Sequence, residues 1–207
     1  KGIGQTQVNT KTGYTFAKGL RAMLRQDPDV MMVGEIRDIE TAQIAIQSSL
    51  TGHLVLSTVH TNSAVGAITR LRDMGIESFL LSSSLRSIIS QRLVRRLCNS
   101  CKVESIPSKE AIRLFNLDHD SKTFLAEGCA SCSFSGFQGR IAIAECIQID
   151  QITRDLIHQK ASEQEIVEHV FKDQPSIDAA SRELVVNGIT SSEEIMRLNN
   201  LTQDASL

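Results

Sequence analysis

Residues 30–35 read Val-Met-Met-Val-Gly-Glu, a short apolar run that ends in an acid, and this stretch decides the predicted fold. Such a run is typical of a strand buried on both faces of a parallel sheet. A second run of this kind occupies residues 53–59, one helix-length segment further along the chain. This alternation of strand and helix predicts a parallel α/β architecture.

Helix signals surround the two predicted strands. Side chains that commonly cap helices precede three apolar-periodic segments, at Thr15, Asp38 and Asn62. Residues that stop helices follow the same three segments, at Pro28, Gly52 and Gly75. Residues 78–97 predict one long helix, with Arg92, Arg95 and Arg96 at its C-terminus. Capping boxes that start at Ser162 and Thr190 predict two later helices, and residues 202–207 are expected to fray.

Composition and charge narrow the class of protein. The chain has 207 residues, 41% of them hydrophobic, and a net charge of −2. No apolar run reaches the roughly 18 residues that would predict a membrane-spanning helix. Residues 1–97 carry 12 Lys and Arg against 7 Asp and Glu, whereas the remainder is acidic. The basic part could face phosphates on a nucleotide, a nucleic acid or a lipid, although an ordinary solvated surface explains it too.

Four of the five cysteines form two CxxC pairs, Cys98 with Cys101 and Cys129 with Cys132. Two such pairs suit one tetrahedral Zn²⁺ ion, and four thiolates would make the site closed and structural. A redox CxxC would not need a matching second pair, and structural disulfides are unexpected without a secretion signal. We expect the fifth cysteine, Cys146, to be a small buried hydrophobic residue.

Glu35 follows the first predicted strand, at the end where ligands bind in open parallel sheets. A carboxylate there could orient or deprotonate a water, or hold Mg²⁺ through water, but a solvated glutamate fits this segment equally well. His53 and His60 flank the second strand, about 23 Å apart if the segment is fully extended, so they cannot share one ligand. For either histidine alone, a structural role is the simpler interpretation.

Basic residues also surround the first strand. Arg21, Arg25 and Arg37 could clamp phosphate oxygens, although a solvated helix face explains the first two as well. The phosphate-binding pattern GxxxxGK[ST] does not occur in the chain. If the protein handles a nucleotide, we therefore expect its phosphate loop to lie upstream of Lys1, and the start of the chain reads like the middle of a longer protein.

Taken together, residues 24–38, residues 51–62 and the paired CxxC motifs resemble the secretion ATPase superfamily of type II secretion and type IV pilus assembly. The resemblance is to its tetracysteine branch, closest to type II secretion, and covers roughly residues 1–200. It implies an α/β fold in three parts. Residues 1–97 would be the C-terminal part of a RecA-like P-loop ATPase domain, residues 98–147 a tetracysteine zinc subdomain, and residues 148–207 a helical region.

The resemblance also implies roles for single residues. Glu35 corresponds to the family's acid at the γ-phosphate, and His53 and His60 to histidines that couple nucleotide state to domain motion. Five arginines correspond to basic positions that face the nucleotide or a neighbouring subunit: Arg21, Arg25, Arg37, Arg70 and Arg140. The four paired cysteines correspond to the family's zinc ligands.

The function implied is that of a homo-hexameric motor that hydrolyses ATP with Mg²⁺ to drive pseudopilus assembly. It would be cytoplasmic and peripheral to the bacterial inner membrane, with inner-membrane platform proteins as partners and no nucleic acid. Because the family's Walker A loop precedes the matching segment, the chain alone is expected to bind ATP poorly. Two alternatives stay open, a type IV pilus extension ATPase and a zinc-containing nucleic-acid-binding or docking module.

Overall fold

The structure, a computed structural model, describes residues 2–204 and divides into two compact units, each built from two separate segments of the chain. Unit 1 combines the chain up to Ile88 with Gln148–Lys172, and unit 2 combines Ile89–Ile147 with the segment from Asp173 onward. The prediction of three consecutive segments, with boundaries after residues 97 and 147, therefore differs from this grouping. Here the helices after residue 147 are divided, those before Asp173 in unit 1 and the later ones in unit 2.

The described residues form nine helices and six strands. The helices are α1 (Phe16–Leu24), α2 (Ile39–Leu50), α3 (Ala64–Asp73), α4 (Ser78–Ser84), α5 (Lys109–Phe115), α6 (Gln151–His158), α7 (Glu163–Val170), α8 (Ile177–Val186) and α9 (Ser192–Asp204). The strands are β1 (Val30–Val33), β2 (Leu54–Ser57), β3 (Ser87–Leu97), β4 (Lys102–Ser105), β5 (Thr123–Ala126) and β6 (Phe137–Gln148). Short 3₁₀ turns lie at Thr10–Thr12 and Ala130–Cys132.

The centre of unit 1 is a pair of parallel strands, as the sequence predicted. β1 and β2 pair in register from Val30 opposite Leu54 to Val33 opposite Ser57, and α2 connects them. Met31 and Val33 point into a core with α1 and α2. The other face of the sheet is exposed, since Val30 and Met32 are 56% and 68% exposed. The expectation that β1 is buried on both faces is therefore wrong for the described chain, in which only one face is covered.

Capping side chains set the helix starts of unit 1. Thr15 and Asp38 each accept a hydrogen bond from a backbone N–H three residues on, as predicted. The third helix starts one residue later than predicted, because the hydroxyl of Ser63, not Asn62, accepts from the Gly66 N–H. The capping box of Ser162 with Glu165 is confirmed.

The prediction of a long helix over residues 78–97 is wrong. The helix ends at Ser84, and β3 begins at Ser87 and pairs with β6. β-branched residues such as Ile88, Ile89 and Val94 favour an extended backbone, and a strand partner is available later in the chain. Arg95 consequently lies on a strand and not at a helix C-terminus.

Unit 2 contains the antiparallel pair β4–β5, in register from Lys102 opposite Ala126, and most of the pair β3–β6. Its core is built from β3, β6, α5, α8 and α9: Val94, Ala111, Phe115, Leu117, Ile143, Val185 and Ile195. The predicted cap at Thr190 is wrong. The hydroxyl of Thr190 donates to the Arg95 carbonyl, and that of Ser191 accepts from the Glu194 N–H.

A buried carboxylate fixes α9 to β3 within unit 2. The side chain of Glu194 is 1% exposed and accepts hydrogen bonds from Arg95 and Arg197 at 2.6 and 3.0 Å. Burial opposes its ionisation, but these arginine bonds prevail and lower the pKa of Glu194 to about 2.

No helix among the described residues is long and apolar enough to cross a membrane. In the segment predicted to fray, residues 202–204 are helical, and residues 205–207 lie outside the described range.

Candidate functional site

The candidate site lies where β1 and β2 end side by side. Because the two strands are parallel and in register, the residues that follow them meet at one edge of the sheet. The Ile36 N–H donates to the Thr58 carbonyl at 3.0 Å. The Thr58 hydroxyl donates to the Gly34 carbonyl at 2.7 Å. These two bonds hold the segment after β1 against the segment after β2.

Three predicted residues come together on this edge. The Arg37 Nε lies 2.7 Å from Oε2 of Glu35, and the His60 Nε2 lies 3.2 Å from the same oxygen. The Glu35 side chain is 20% exposed, whereas Arg37 and His60 are 70% and 83% exposed. We call these three residues the Glu35 cluster. A largely shielded carboxylate is thus bounded by two cationic or donor side chains that face solvent.

The electrostatics of the Glu35 cluster favour an ionised carboxylate. The hydrogen bond from Arg37 lowers the pKa of Glu35 below its usual value, and the bond with His60 adds to this against the opposing effect of burial. An ionised carboxylate can accept a hydrogen bond from a water or hold a hydrated cation, but it is a weak base. The geometry therefore suits positioning better than strong proton abstraction.

His53, the other predicted histidine, does not join the Glu35 cluster. It precedes β2 and so lies at the opposite end of that strand, where its Nδ1 is 3.0 Å from the Ser48 carbonyl and 3.2 Å from the Thr51 hydroxyl. These contacts tie the C-terminus of α2 to the start of β2. The structure thus brings Glu35 and His60 together and separates His53 from them.

The remaining predicted arginines are dispersed. Arg21 forms an ion pair with Glu40 at 2.9 Å, between half-exposed side chains. Arg25 caps the C-terminus of α1 through its backbone, and Arg70 is exposed in the last turn of α3. Arg140 is exposed on β6, in unit 2. Of the five arginines, only Arg37 contacts Glu35 among the residues that the structure describes.

Thr58 is the site residue that the sequence reasoning missed. Its hydroxyl and carbonyl make both links between the two strand ends. The signal was present in the register, because Thr58 is the first residue after β2 and Gly34 is the first after β1. Pairing the two strands residue by residue would have placed them together.

The four predicted ligand cysteines form a second cluster, in unit 2. Their sulfur atoms all lie within 4.8 Å of one another, and none of the four is in a disulfide. Three of the separations are 4.0 Å for Cys98–Cys129, 3.8 Å for Cys101–Cys132 and 3.9 Å for Cys129–Cys132. Four sulfurs at about 2.3 Å from one tetrahedral ion would be about 3.8 Å apart, so the cluster fits a metal ion.

Backbone groups prepare the tetracysteine cluster for negative charge. The N–H groups of Cys129 and Gly136 donate to the Cys132 sulfur at 3.2 and 3.3 Å, and they lower the pKa of that thiol to about 6. Burial, with further contributions from the neighbouring thiols, raises the pKa of Cys101 to about 12. A bound dication is the natural counter-charge that lets all four sulfurs be thiolates.

Gly136 closes the tetracysteine cluster. Its carbonyl accepts from the Cys98 N–H at 2.9 Å, so it connects the two CxxC pairs. Its φ is +73°, and a Cβ atom here would lie 2.6 Å from the Cβ of Ala126. Only glycine fits this position.

The expectation for Cys146 is wrong. This residue is exposed on β6, since the side chains of β6 alternate and those of Glu145 and Ile147 take the buried positions.

Comparison with known proteins places this chain in a family. The profile of the type II/IV secretion system protein family matches residues 1–197. The type II secretion system ATPase E of Vibrio cholerae is 55% identical over 199 residues, which are 95% of this chain and 40% of that protein. The type II secretion system protein E of Pseudomonas aeruginosa is 54% identical over 200 residues, 96% of this chain and 40% of that protein.

Solved structures agree on the fold. The pilus retraction motor PilT, solved with bound ADP, is 28% identical with a TM-score of 0.63 over 88% of this chain and 43% of that one. The ATPase DotB of Legionella pneumophila, 21% identical with a TM-score of 0.63 over 91% of this chain and 44% of that one, shares the fold. The chain spans about two fifths of the length of the curated relatives it matches. On the family match and these identities, the chain belongs to the type II/IV secretion system protein family.

Proposed function

We propose that this chain is the later part of an ATP-hydrolysing motor of type II secretion, with Glu35 as its acidic residue at the γ-phosphate. The observation that carries the proposal is the Glu35 cluster, a shielded carboxylate at the carboxyl end of β1 with His60 and Arg37 on one of its oxygens. The 55% and 54% identity to type II secretion proteins favours that system over pilus extension.

In this proposal, Glu35 orients the attacking water and holds hydrated Mg²⁺ beside ATP. Phosphoryl transfer depends mainly on positioning and charge stabilisation, so a carboxylate of low basicity is sufficient. His60 would sense the nucleotide through its contact with Glu35, and His53 would act from the other end of β2. The exposed guanidinium groups of Arg21, Arg25, Arg37, Arg70 and Arg140 would face the nucleotide or a neighbouring subunit.

The tetracysteine cluster is proposed to hold a structural Zn²⁺ ion. Cys98, Cys101, Cys129 and Cys132 would be its four ligands, and four protein ligands leave no position open for catalysis. The ion would supply folding free energy to unit 2, and not chemistry at the nucleotide.

The assembly proposed is a homo-hexamer that is cytoplasmic and peripheral to the bacterial inner membrane, acting on the secretion platform to drive pseudopilus assembly. The family and the named relatives support this assignment. Nucleic acid is not proposed as a partner, because the half of the chain that carries the cysteines is acidic and the chain has no Trp for base stacking.

The decisive test replaces Glu35 by Gln in the protein expressed from its complete gene. Glu35→Gln keeps the shape of the side chain and removes its charge, so we expect ATP turnover to fall by about 10²–10⁴-fold. Glu77→Gln is the matched control, since Glu77 is an exposed glutamate of unit 1 that makes no side-chain capping bond to α4. Turnover of the Glu35 variant equal to that of the control would refute the proposal.

The 207-residue chain by itself is expected to bind MgATP weakly, since it carries no GxxxxGK[ST] loop to cradle the phosphates. Calorimetry checks this expectation directly. Micromolar binding of MgATP by the chain alone would contradict it.

A further inference from the structure

A cavity of about 450 Å³ opens in unit 1 beside α4 and α6, lined by none of the residues of the Glu35 cluster. Its charged lining consists of Arg86, which follows α4, and of Arg154, Asp155 and His158 on α6. Three of these four side chains are basic. The cavity lies within one unit, so its walls belong to a single packed body.

The two arginines of this cavity are not engaged in ion pairs among the described residues, although Asp155 lies in the same lining. Within residues 2–204, neither Arg86 nor Arg154 forms an ion pair with a carboxylate. The Nε–H of Arg154 is shielded from solvent and has no hydrogen-bond partner among the described residues. The chain thus leaves this guanidinium incompletely satisfied, and its charge is available to an anion that binds from outside.

The other polar groups of the cavity define what the ligand must present. The hydroxyls of Ser82 and Ser83 both donate to the Phe79 carbonyl, at 3.0 and 2.8 Å, so they offer only lone pairs to the cavity. Asp155 accepts from the Gln151 amide at 3.0 Å through one oxygen, and the carboxylate can accept another donor. The cavity thus provides donors for an anionic group and acceptors for hydroxyl groups.

We propose that this cavity binds the phosphate group of a small, hydroxyl-bearing phosphate monoester. Arg86 and Arg154 hold the phosphate oxygens, because the planar guanidinium matches them bidentately, and a ring N–H of His158 adds a donor. Asp155 and the serine hydroxyls accept from the hydroxyl groups of the ligand. The volume exceeds what one bare phosphate ion fills, which favours an ester over the inorganic ion.

The test titrates the ¹⁵N-labelled full chain with glycerol phosphate, with inorganic phosphate in parallel. We expect saturable shifts of amide signals in residues 82–86 and 151–158, and stronger binding of glycerol phosphate than of phosphate. Arg86→Gln and Arg154→Gln should each weaken binding by about tenfold or more. Arg96→Gln, the same charge change at an exposed residue of β3, should leave binding unchanged.

A variant that is expected to tighten binding guards the test against a loss of binding caused by misfolding. Asp155→Asn keeps an acceptor oxygen for the ligand hydroxyls and removes a negative charge that repels phosphate, so it should tighten binding of glycerol phosphate severalfold. Equal weakening by Arg86→Gln and Arg96→Gln, or shifts confined to other parts of the chain, would overturn the proposal. So would binding to vesicles that contain phosphatidic acid without binding of glycerol phosphate, since that would assign the site to a lipid headgroup. None of these results depends on ATP turnover, so the proposal can fail while the ATPase assignment stands.

Discussion

The tetracysteine cluster and the Glu35 cluster are opposite kinds of site. In the first, four cysteines from one stretch of 35 residues supply a complete ligand set within unit 2. In the second, a shielded carboxylate meets two side chains that are at least 70% exposed, and the cluster offers groups to a ligand without enclosing one. The difference predicts that changes near the first cost stability, whereas changes in the second cost activity and leave the fold intact.

Removing a cysteine ligand should produce the largest loss. Structural zinc is bound in finger peptides with about 10–16 kcal/mol at neutral pH, and Cys101→Ser removes one of four ligands. We expect the bound metal to fall from about one ion per chain to none and unit 2 to lose its cooperative transition. Metal analysis and calorimetry measure both, with the exposed Cys146→Ser as the matched control. Full stability of the Cys101 variant without metal would contradict the view that the tetracysteine cluster stabilises unit 2.

Removing the Glu194 carboxylate should produce the next-largest loss of stability, and this loss should depend on pH. Glu194→Ala removes the carboxylate that pairs with Arg95 and Arg197. Because both arginines are about half exposed, we expect the free energy of unfolding to fall by about 2–3 kcal/mol. With a folded pKa of about 2 and an unfolded value of about 4.3, the ionised group stabilises fully above about pH 5. This contribution is lost as the pH falls from about 4 to about 2.

Urea titrations at several pH values check the Glu194 prediction. Glu193→Ala, the exposed neighbour, should change the free energy of unfolding little at any of these pH values. A pH-independent difference between the two variants would show that the charge of Glu194 contributes nothing.

Alanine substitutions at two glycines of the same segment distinguish the cost of side-chain crowding from the cost of backbone strain. Gly136→Ala places a Cβ 2.6 Å from the Ala126 Cβ, so we expect a loss of about 1–3 kcal/mol and weaker metal retention. Gly139 has almost the same φ, +72°, but nothing lies within 4 Å of its Cβ position. Gly139→Ala should therefore cost only the left-handed backbone penalty, about 1 kcal/mol. Equal thermal shifts would mean that the close approach to Ala126 is unimportant.

The smallest expected stability change is at the candidate catalytic edge. Thr58→Val removes one exposed hydrogen bond to the Gly34 carbonyl, about 0.5–1 kcal/mol, whereas Thr58→Ser keeps it. If the bond positions Glu35, ATP turnover of the complete protein should fall in the Val variant and recover in the Ser variant. A Val variant that loses stability but keeps full turnover would assign Thr58 a purely structural role.

Local patterns predicted the elements whose determinants are local. Thr15, Asp38 and Ser162 cap helices as expected, because a cap needs only the N–H groups two or three residues away. The contact between Glu35 and His60 follows from two predicted strands once their register is known. The CxxC spacing likewise predicted that the four cysteines would lie together.

Failures arose where a distant partner decides the structure. Residues 87–97 carry an apolar pattern that a helix also allows, and pairing with β6, which starts at Phe137, selects the strand. Thr190 looked like a cap, but the Arg95 carbonyl, 95 residues earlier in the chain, takes its hydroxyl. The pairing of Glu194 with Arg95 is equally remote in sequence, and nothing in the local pattern marks it.

The chain passes from one compact unit to the other three times, near residues 88, 147 and 172. The first two of these crossings fall inside the paired strands β3 and β6. No single cut therefore releases either unit whole. A product ending at Ile147 would lack α6 and α7 from unit 1 and α8 and α9 from unit 2 at once. Truncation after the cysteine region would therefore damage both units, and a function lost in such a truncation would say nothing about which unit performs it.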